Sequence, residues 1–224
     1  MISYTLTRSK RKTIAIYIRG GALEVRAPMR CSKAAIDSFV ASKEAWITDK
    51  LAASQKHAAQ KQAFELNYGD AIAFRGALYP IVAKNGNRVG FDGQAFYLPP
   101  ELDPEQIKNA CIKVYRRLAK LHLAERVAAY SDQMGVAPAG IKINGAKTRW
   151  GSCSSKRSIN FSWRLVMAAD HVIDYVVVHE LAHLTHMNHS KKFWATVESV
   201  LPDYRERKAG LAQLQKRLTT EDWG

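Results

Sequence analysis

Isoleucines recur at every second position early in the chain, with Ile14, Ile16 and Ile18 on one face and Thr13, Ala15 and Tyr17 on the other. After Gly20-Gly21 the period of two resumes at Leu23, Val25 and Ala27, which predicts a β-hairpin turning at the glycines. The period then lengthens. Ser32 can cap a helix running to about Ser54, with Ile36, Phe39, Val40, Trp46, Ile47 and Leu51 as its apolar stripe. Polar residues 55–63 read as an extended end of that helix or a linker. Short strands are expected near 71–74, 78–82, 88–91 and 95–98, with turns at Asn85-Gly86 and Asp92-Gly93 and a close at Pro99-Pro100.

Pro104 suits a first helical turn, and the pattern beyond it predicts a long helix to about Met134. Its stripe is Ile107, Cys111, Val114, Leu118, Leu121 and Val127, and Gly135 ends it. Strands follow near 141–144, 148–152 and 159–163, with Lys156-Arg157-Ser158 in a turn. A helix begins soon after Asp170, another capped by Ser190 spans 191–200, and a last one opens at Pro202 and reaches about Leu218. This order predicts an α+β fold: a β-rich subdomain with one helix over residues 1–100, and a second domain over 101–224. No repeat or low-complexity tract interrupts it.

The helix after Asp170 carries the chemistry. Residues 179–189 read His-Glu-Leu-Ala-His-Leu-Thr-His-Met-Asn-His. Four helical residues turn through about 400°, so His179 and His183 leave one face a turn apart, where two imidazoles can hold one Zn²⁺. Glu180 stands beside them as a general base. A catalytic zinc usually takes three protein ligands, and His189 can supply the third. Val176-Val177-Val178 and Tyr175 fit a helix buried beneath a cleft. Asn188 tolerates the left-handed conformation that would end the helix and turn the chain back. The competing reading is an amphipathic helix with histidines on a half-buried face. Three imidazoles suit zinc among divalent metals.

Composition narrows the setting. No apolar run approaches the roughly 18–20 residues of a membrane span, and the first residues lack a secretory pattern. Cys31, Cys111 and Cys153 are few and widely spaced, as for reduced thiols in a cytoplasmic protein. The net charge is +14, and residues 1–60 hold eleven Lys/Arg against four Asp/Glu, with Arg8, Lys10, Arg11 and Lys12 clustered. Such a balance suits DNA or another polyanion, or simply a solvated surface. Tyr17 and Trp46 read as core aromatics rather than base-stacking platforms.

Several separated stretches together resemble the YgjP-like zinc metallopeptidases. They are Lys147-Thr148-Arg149-Trp150-Gly151-Ser152-Cys153, then Asn160-Phe161-Ser162-Trp163-Arg164-Leu165, and Asp174 to Leu184 around the His-Glu-x-x-His core. Asn188-His189-Ser190, Phe193-Trp194, Pro202-Asp203-Tyr204 and the opening Arg8-Ser9-Lys10-Arg11-Lys12 belong to the same pattern. That family is related to the SprT-like and WLM proteases, which process proteins crosslinked to DNA. Two positions depart from it: Ser162 replaces a usual Asn, and His186 stands where zincins of this spacing often carry Gly.

The resemblance implies a zincin-like metallopeptidase domain with His179, His183 and His189 on Zn²⁺. His186 competes for the third position if the helix continues, and Glu198 is a remote alternative; the Asn-His-Ser context favours His189. The implied chemistry is attack of zinc-activated water on a peptide carbonyl, with Glu180 taking the proton and passing it to the leaving amine. Tyr204 and Arg149 are candidate oxyanion donors. Trp150, Gly151 and Ser152 are a candidate strand edge for an extended peptide substrate, although Trp150 equally suits core packing. Two other functions compete. One is a nucleic-acid-binding protein whose metal site is structural and closed by His186 or Cys153. The other is a broad-specificity peptidase whose positive charge is incidental.

Overall fold

The computed structural model describes residues 2–224. It contains six α-helices, one 3₁₀ turn and three small sheets among these residues, a mixed α/β architecture. The chain divides into two compact units, one of residues 2–64 with 218–222 and 224, the other of 65–217 with Trp223.

In the first unit, β2 (Ala15–Arg19) and β3 (Ala22–Pro28) form the hairpin that the isoleucine alternation predicts, with Ala15 opposite Arg26 and Arg19 opposite Ala22. A strand the pattern does not reveal, β1 (Thr5–Ser9), pairs in parallel with β3. It is a mostly exposed edge whose only large apolar residue is Leu6, so alternation gives little signal. Leu23, Val25 and Ala27 pack with Ile36, Val40 and Ile47 into this unit's core. The single helix expected from Ser32 is two: α1 (Lys33–Ala41), capped by the Ser32 side chain, and α2 (Glu44–Gln62). Ser42 Oγ donates to the Phe39 carbonyl at 2.7 Å, and this local bond accompanies the break. Trp46, expected in the core, is 46% exposed on α2.

The second unit begins earlier than residue 100, where sequence placed the boundary. Strands β4 (Ala71–Phe74), β5 (Ala77–Ala83), β6 (Gly90–Phe91) and β7 (Phe96–Leu98) form a sheet in the order β4-β5-β7-β6. Their aromatics are the reason. Phe96 packs on Tyr115 of the long helix α3 (Pro104–Met134), and Tyr115 stacks on Trp163 and meets Trp223 edge-on. The Tyr115 hydroxyl donates to the Ala73 carbonyl at 2.6 Å. A capping box between Asp103 and Gln106 opens α3, and left-handed Gly135 closes it. Its buried face runs through Ala119, His122 and Leu123, whereas Leu121 is 65% exposed and does not belong to the stripe.

Strands β8 (Gly140–Asn144), β9 (Gly151–Cys153) and β10 (Ser158–Ser162) form the sheet that borders the site, in the order β8-β10-β9. β10 lies parallel to β8 and antiparallel to β9, which leaves β9 with one free edge. The 3₁₀ turn Trp163–Met167 leads to α4 (Asp170–Ala182), a helix buried on nearly every side. Its start is pinned from two directions. Arg75 grips Asp170 through two hydrogen bonds, and Gly76 lies so close to Ala169 that an added Cβ would stand 2.8 Å from the alanine Cβ. Farther along, Arg126 of α3 holds Asp174 at 2.6 and 2.8 Å. Helices α5 (Lys191–Val200), capped by Ser190, and α6 (Tyr204–Leu218) complete the unit. No helix among the described residues is long and apolar enough to cross a membrane.

Candidate metal centre

α4 delivers His179 and His183 to one face, and the chain then turns sharply. The helix ends at Ala182, and Leu184, Thr185 and His186 donate backbone bonds to Leu181, Ala182 and Ala182. These tight turns, rather than a left-handed Asn188, reverse the chain; no positive φ occurs at Asn188. The reversal returns His189 to His179, with their Nε2 atoms 3.1 Å apart. One ligand atom from each of His179, His183 and His189 lies within 4.8 Å of the others. Tetrahedral zinc with nitrogen ligands at 2.0–2.1 Å sets those nitrogens about 3.4 Å apart, so the three rings fit such an ion.

His186 is not part of the group. Because α4 stops, its ring never shares the His179 face; its carbonyl instead sits 3.1 Å from His183 Nδ1. A proton on that Nδ1 leaves His183 Nε2 as the lone-pair donor, the usual way a neighbour fixes a ligand tautomer. Glu198 is paired with Arg205 at 2.9 Å and does not join the group either.

Phe193 and Trp194, which the sequence marks only as part of a family pattern, build the floor. Fully buried Phe193 touches all three imidazoles, at centroid distances of 4.9, 4.6 and 4.8 Å. Trp194 stacks on His189 at 5.7 Å, and Tyr204 stacks on Trp194 and Tyr175. Phe193 follows His189 by four residues on a Ser-capped helix, the one sequence cue to its place. Tyr204 thus joins the site through Trp194. Burial, reinforced by the neighbouring His183, His189 and Lys208, pushes His179 down to about 3, and burial also lowers His183. Both rings are therefore held in the neutral form that binds metals. His179 Nδ1 is buried with no hydrogen-bond partner among the described residues.

Glu180 points away from the solvent, against the sheet. It is 5% exposed, and burial raises its carboxyl to about 7. A Cβ built on Gly151 would stand 2.6 Å from Glu180 Cγ and Oε1, so only glycine lets the edge strand come this close. Cys153 leaves β9 on the same face as Gly151. Its thiol is raised by burial first and then by the Glu180 charge, and it is not in the histidine group. Trp150 is half-buried just before β9, and its carbonyl accepts from Ser162 N–H at 2.9 Å, extending the ladder. Arg149 and Ser152 lie on the outer face of the sheet, around a polar pocket of about 290 Å³.

The sequence matches the family model described as YgjP-like, metallopeptidase domain, over residues 12–214. No curated protein matches it. Among solved structures, the chain is similar to the metallopeptidase zymogen abylysin of Pyrococcus abyssi, with 23% identity and a TM-score of 0.39 over 44% of this chain and 97% of that one. It is also similar to the zymogen jannalysin of Methanocaldococcus jannaschii, with 19% identity and a TM-score of 0.37 over 41% and 94%. A metallopeptidase family supports peptidase activity and implies a catalytic metal, typically zinc. The family match spans nearly the whole chain, including every residue of the histidine group and Glu180, and on that ground the chain belongs to the YgjP-like metallopeptidase family.

Proposed function

We propose that the protein is a zincin-like zinc metallopeptidase that cleaves peptide bonds, with His179, His183 and His189 as the metal ligands and Glu180 as general base. The observation that carries this reading is the convergence of three imidazoles beside a buried carboxylate at a free strand edge. No fourth His, Cys, Asp or Glu joins the group among the described residues. That favours an open coordination position over the closed site of a purely structural metal. Bound there, zinc supplies Lewis acidity and lowers the pKa of a water.

The protein's own groups do the rest. An extended peptide pairs with the free edge of β9 at Trp150, Gly151 and Ser152, which places its carbonyl beside Glu180. Glu180 accepts the proton of the attacking water and returns it to the leaving amine, and its burial, which raises the carboxyl, favours proton uptake. Substrates bound to DNA are part of the proposal, supported by the net charge of +14 and the basic first 60 residues.

Glu180→Gln should retain zinc yet lose roughly 10²–10⁴-fold in peptide hydrolysis, the usual contribution of a general base. His189→Ala should lose zinc, and His186→Ala should keep it, because only the His186 backbone carbonyl is used. Metal analysis and cleavage of an unfolded protein substrate check both. Parental activity in Glu180→Gln removes the general-base role, and the reversed pattern of zinc loss moves the third ligand to His186.

A further inference from the structure

The polar pocket on the outer face of the β8–β10–β9 sheet has no role in the chemistry above. It is about 290 Å³, and its polar walls come from Asn144, Arg149, Ser152, Asn160 and Ser162. None of its lining residues is acidic. Arg149 makes no ion pair or hydrogen bond among the described residues, which leaves a guanidinium fork without a partner in a concave polar site. Ser152 and the side-chain amides of Asn144 and Asn160 can donate as well, whereas the Ser162 hydroxyl proton is committed to the Ala146 carbonyl. Asn144 uses its side-chain carbonyl on Ala146 N–H, at 3.0 Å, so its NH₂ is left to donate.

The pocket wall is built to stay in place. Ser162 is 1% exposed and donates to the Ala146 carbonyl at 2.7 Å. Buried Arg164 donates to the Gly145 carbonyl, also at 2.7 Å. Both bonds fix the start of the loop that carries Arg149. A carboxylate only accepts hydrogen bonds, and a guanidinium flanked by amide and hydroxyl donors is its natural complement.

Strand alternation ties this pocket to the reacting centre. Gly151 lies opposite Phe161 and faces Glu180, whereas Ser152 lies opposite Asn160 and faces the pocket. A peptide laid along the free edge of β9 sends successive side chains to these two faces in turn. Gly151 itself both lines the pocket and abuts Glu180. Gly151 therefore borders both the proposed general base and the pocket that Arg149 lines.

We infer that this pocket is a specificity subsite that receives an acidic side chain, Asp or Glu, of the peptide substrate, with Arg149 as its charge. The inference rests on the metallopeptidase reading and adds the substrate class. Two measurements on the full chain test it. In the zinc-loaded Glu180→Gln protein, blocked pentapeptides with a central Glu or Gln are titrated while the Asn144 and Asn160 side-chain amides are followed by NMR. The Glu peptide should shift these amides at least fivefold more than the Gln peptide, and Arg149→Glu should abolish the difference. In the zinc-loaded parent, cleavage of a proteome-derived peptide library should be enriched for Asp or Glu at one position near the cut. Arg149→Glu should turn that position toward Lys and Arg with its zinc content unchanged.

Equal shifts from the two peptides, or an unaltered cleavage profile in Arg149→Glu, overturn the subsite. Stronger shifts of the same amides by a duplex DNA oligonucleotide overturn it in favour of a phosphate contact. A library left uncut by the parent overturns the peptidase reading and the substrate role with it. That result is distinct from cutting without acidic preference, which removes the subsite alone.

Discussion

Gly151 shows how a single missing side chain shapes the site. Glu180 fills the space that a Cβ would occupy, and both the carboxylate and the edge strand are held by their own elements. Gly151→Ala must therefore displace Glu180 or push β9 outward, and misplacement of a catalytic group by about 1 Å can cost on the order of 100-fold in rate. We expect a fall of about that size in kcat/KM, with zinc content retained because no histidine is touched. Kinetics within twofold of the parent would show that the glycine is incidental. Much of this centre was legible from spacing: the His179/His183 pair, the carboxylate between them and a third histidine within reach. Phe193 was not, because a phenylalanine that supports three imidazoles has the same local pattern as one in any amphipathic helix. The preference for His189 over His186 came from its Asn-His-Ser context; the physical cause, the stop of α4, was not legible, since Leu181 to His186 carry no proline or glycine to mark that end.

At the scale of elements, the start of α4 depends on a charged cluster shared with α3 and the β4–β5 turn. His122 of α3 is 8% exposed, and its Nε2 comes within 3.2 Å of Asp170 without hydrogen-bond geometry. Burial, helped by the Arg75 charge and opposed by Asp170, lowers its pKa. A histidine lowered on folding binds its proton more tightly when unfolded, so its stabilising contribution is full above the unfolded value of about 6.5 and is lost as pH falls below it. His122→Gln should therefore flatten the decline of unfolding free energy between about pH 6.5 and 5. The reduction is bounded by one proton, about 1.4 kcal/mol per pH unit. Denaturant titrations of the zinc-loaded parent and variant across that range decide it, and parallel slopes would place the proton uptake elsewhere. The long elements around this cluster were readable because their signals are local: Asp103, Pro104 and Gly135 bound α3, and Ser190 opens α5. Strand β1 and the break at Ser42 were not, since one depends on an edge pairing between residues nineteen positions apart and the other on a single side-chain bond.

For the whole molecule the open question is the use of its charge. Half of the net +14 lies in residues 1–60, yet not every basic group there is free to meet a polyanion. Arg8 spends its Nη1 on the carbonyls of Pro28, Met29 and Cys31, at 3.2, 3.2 and 2.6 Å, and so anchors β1 to the end of β3. Lys33 is bound to Asp37 and Tyr4, and Arg26 to Glu24. Lys10 and Lys12 are exposed, with no ion pair among the described residues. If the Arg8–Lys12 cluster contacts DNA, these two lysines are its groups free to meet phosphate, whereas Arg8 acts as a structural tie. Binding of the full chain to a duplex oligonucleotide should then weaken steeply with salt, because each phosphate contact adds a slope of about −0.9 in log K against log salt. Lys10→Ala and Lys12→Ala should each reduce that slope by about 1 and lower affinity for all sequences alike, with thermal stability unchanged. Arg8→Ala should instead lower the melting temperature, since three carbonyls lose their donor. An unaltered salt slope in both lysine variants would move the contact away from this segment, and absence of binding even at low salt would leave the charge as a solvated surface and the peptidase without a DNA-directed substrate.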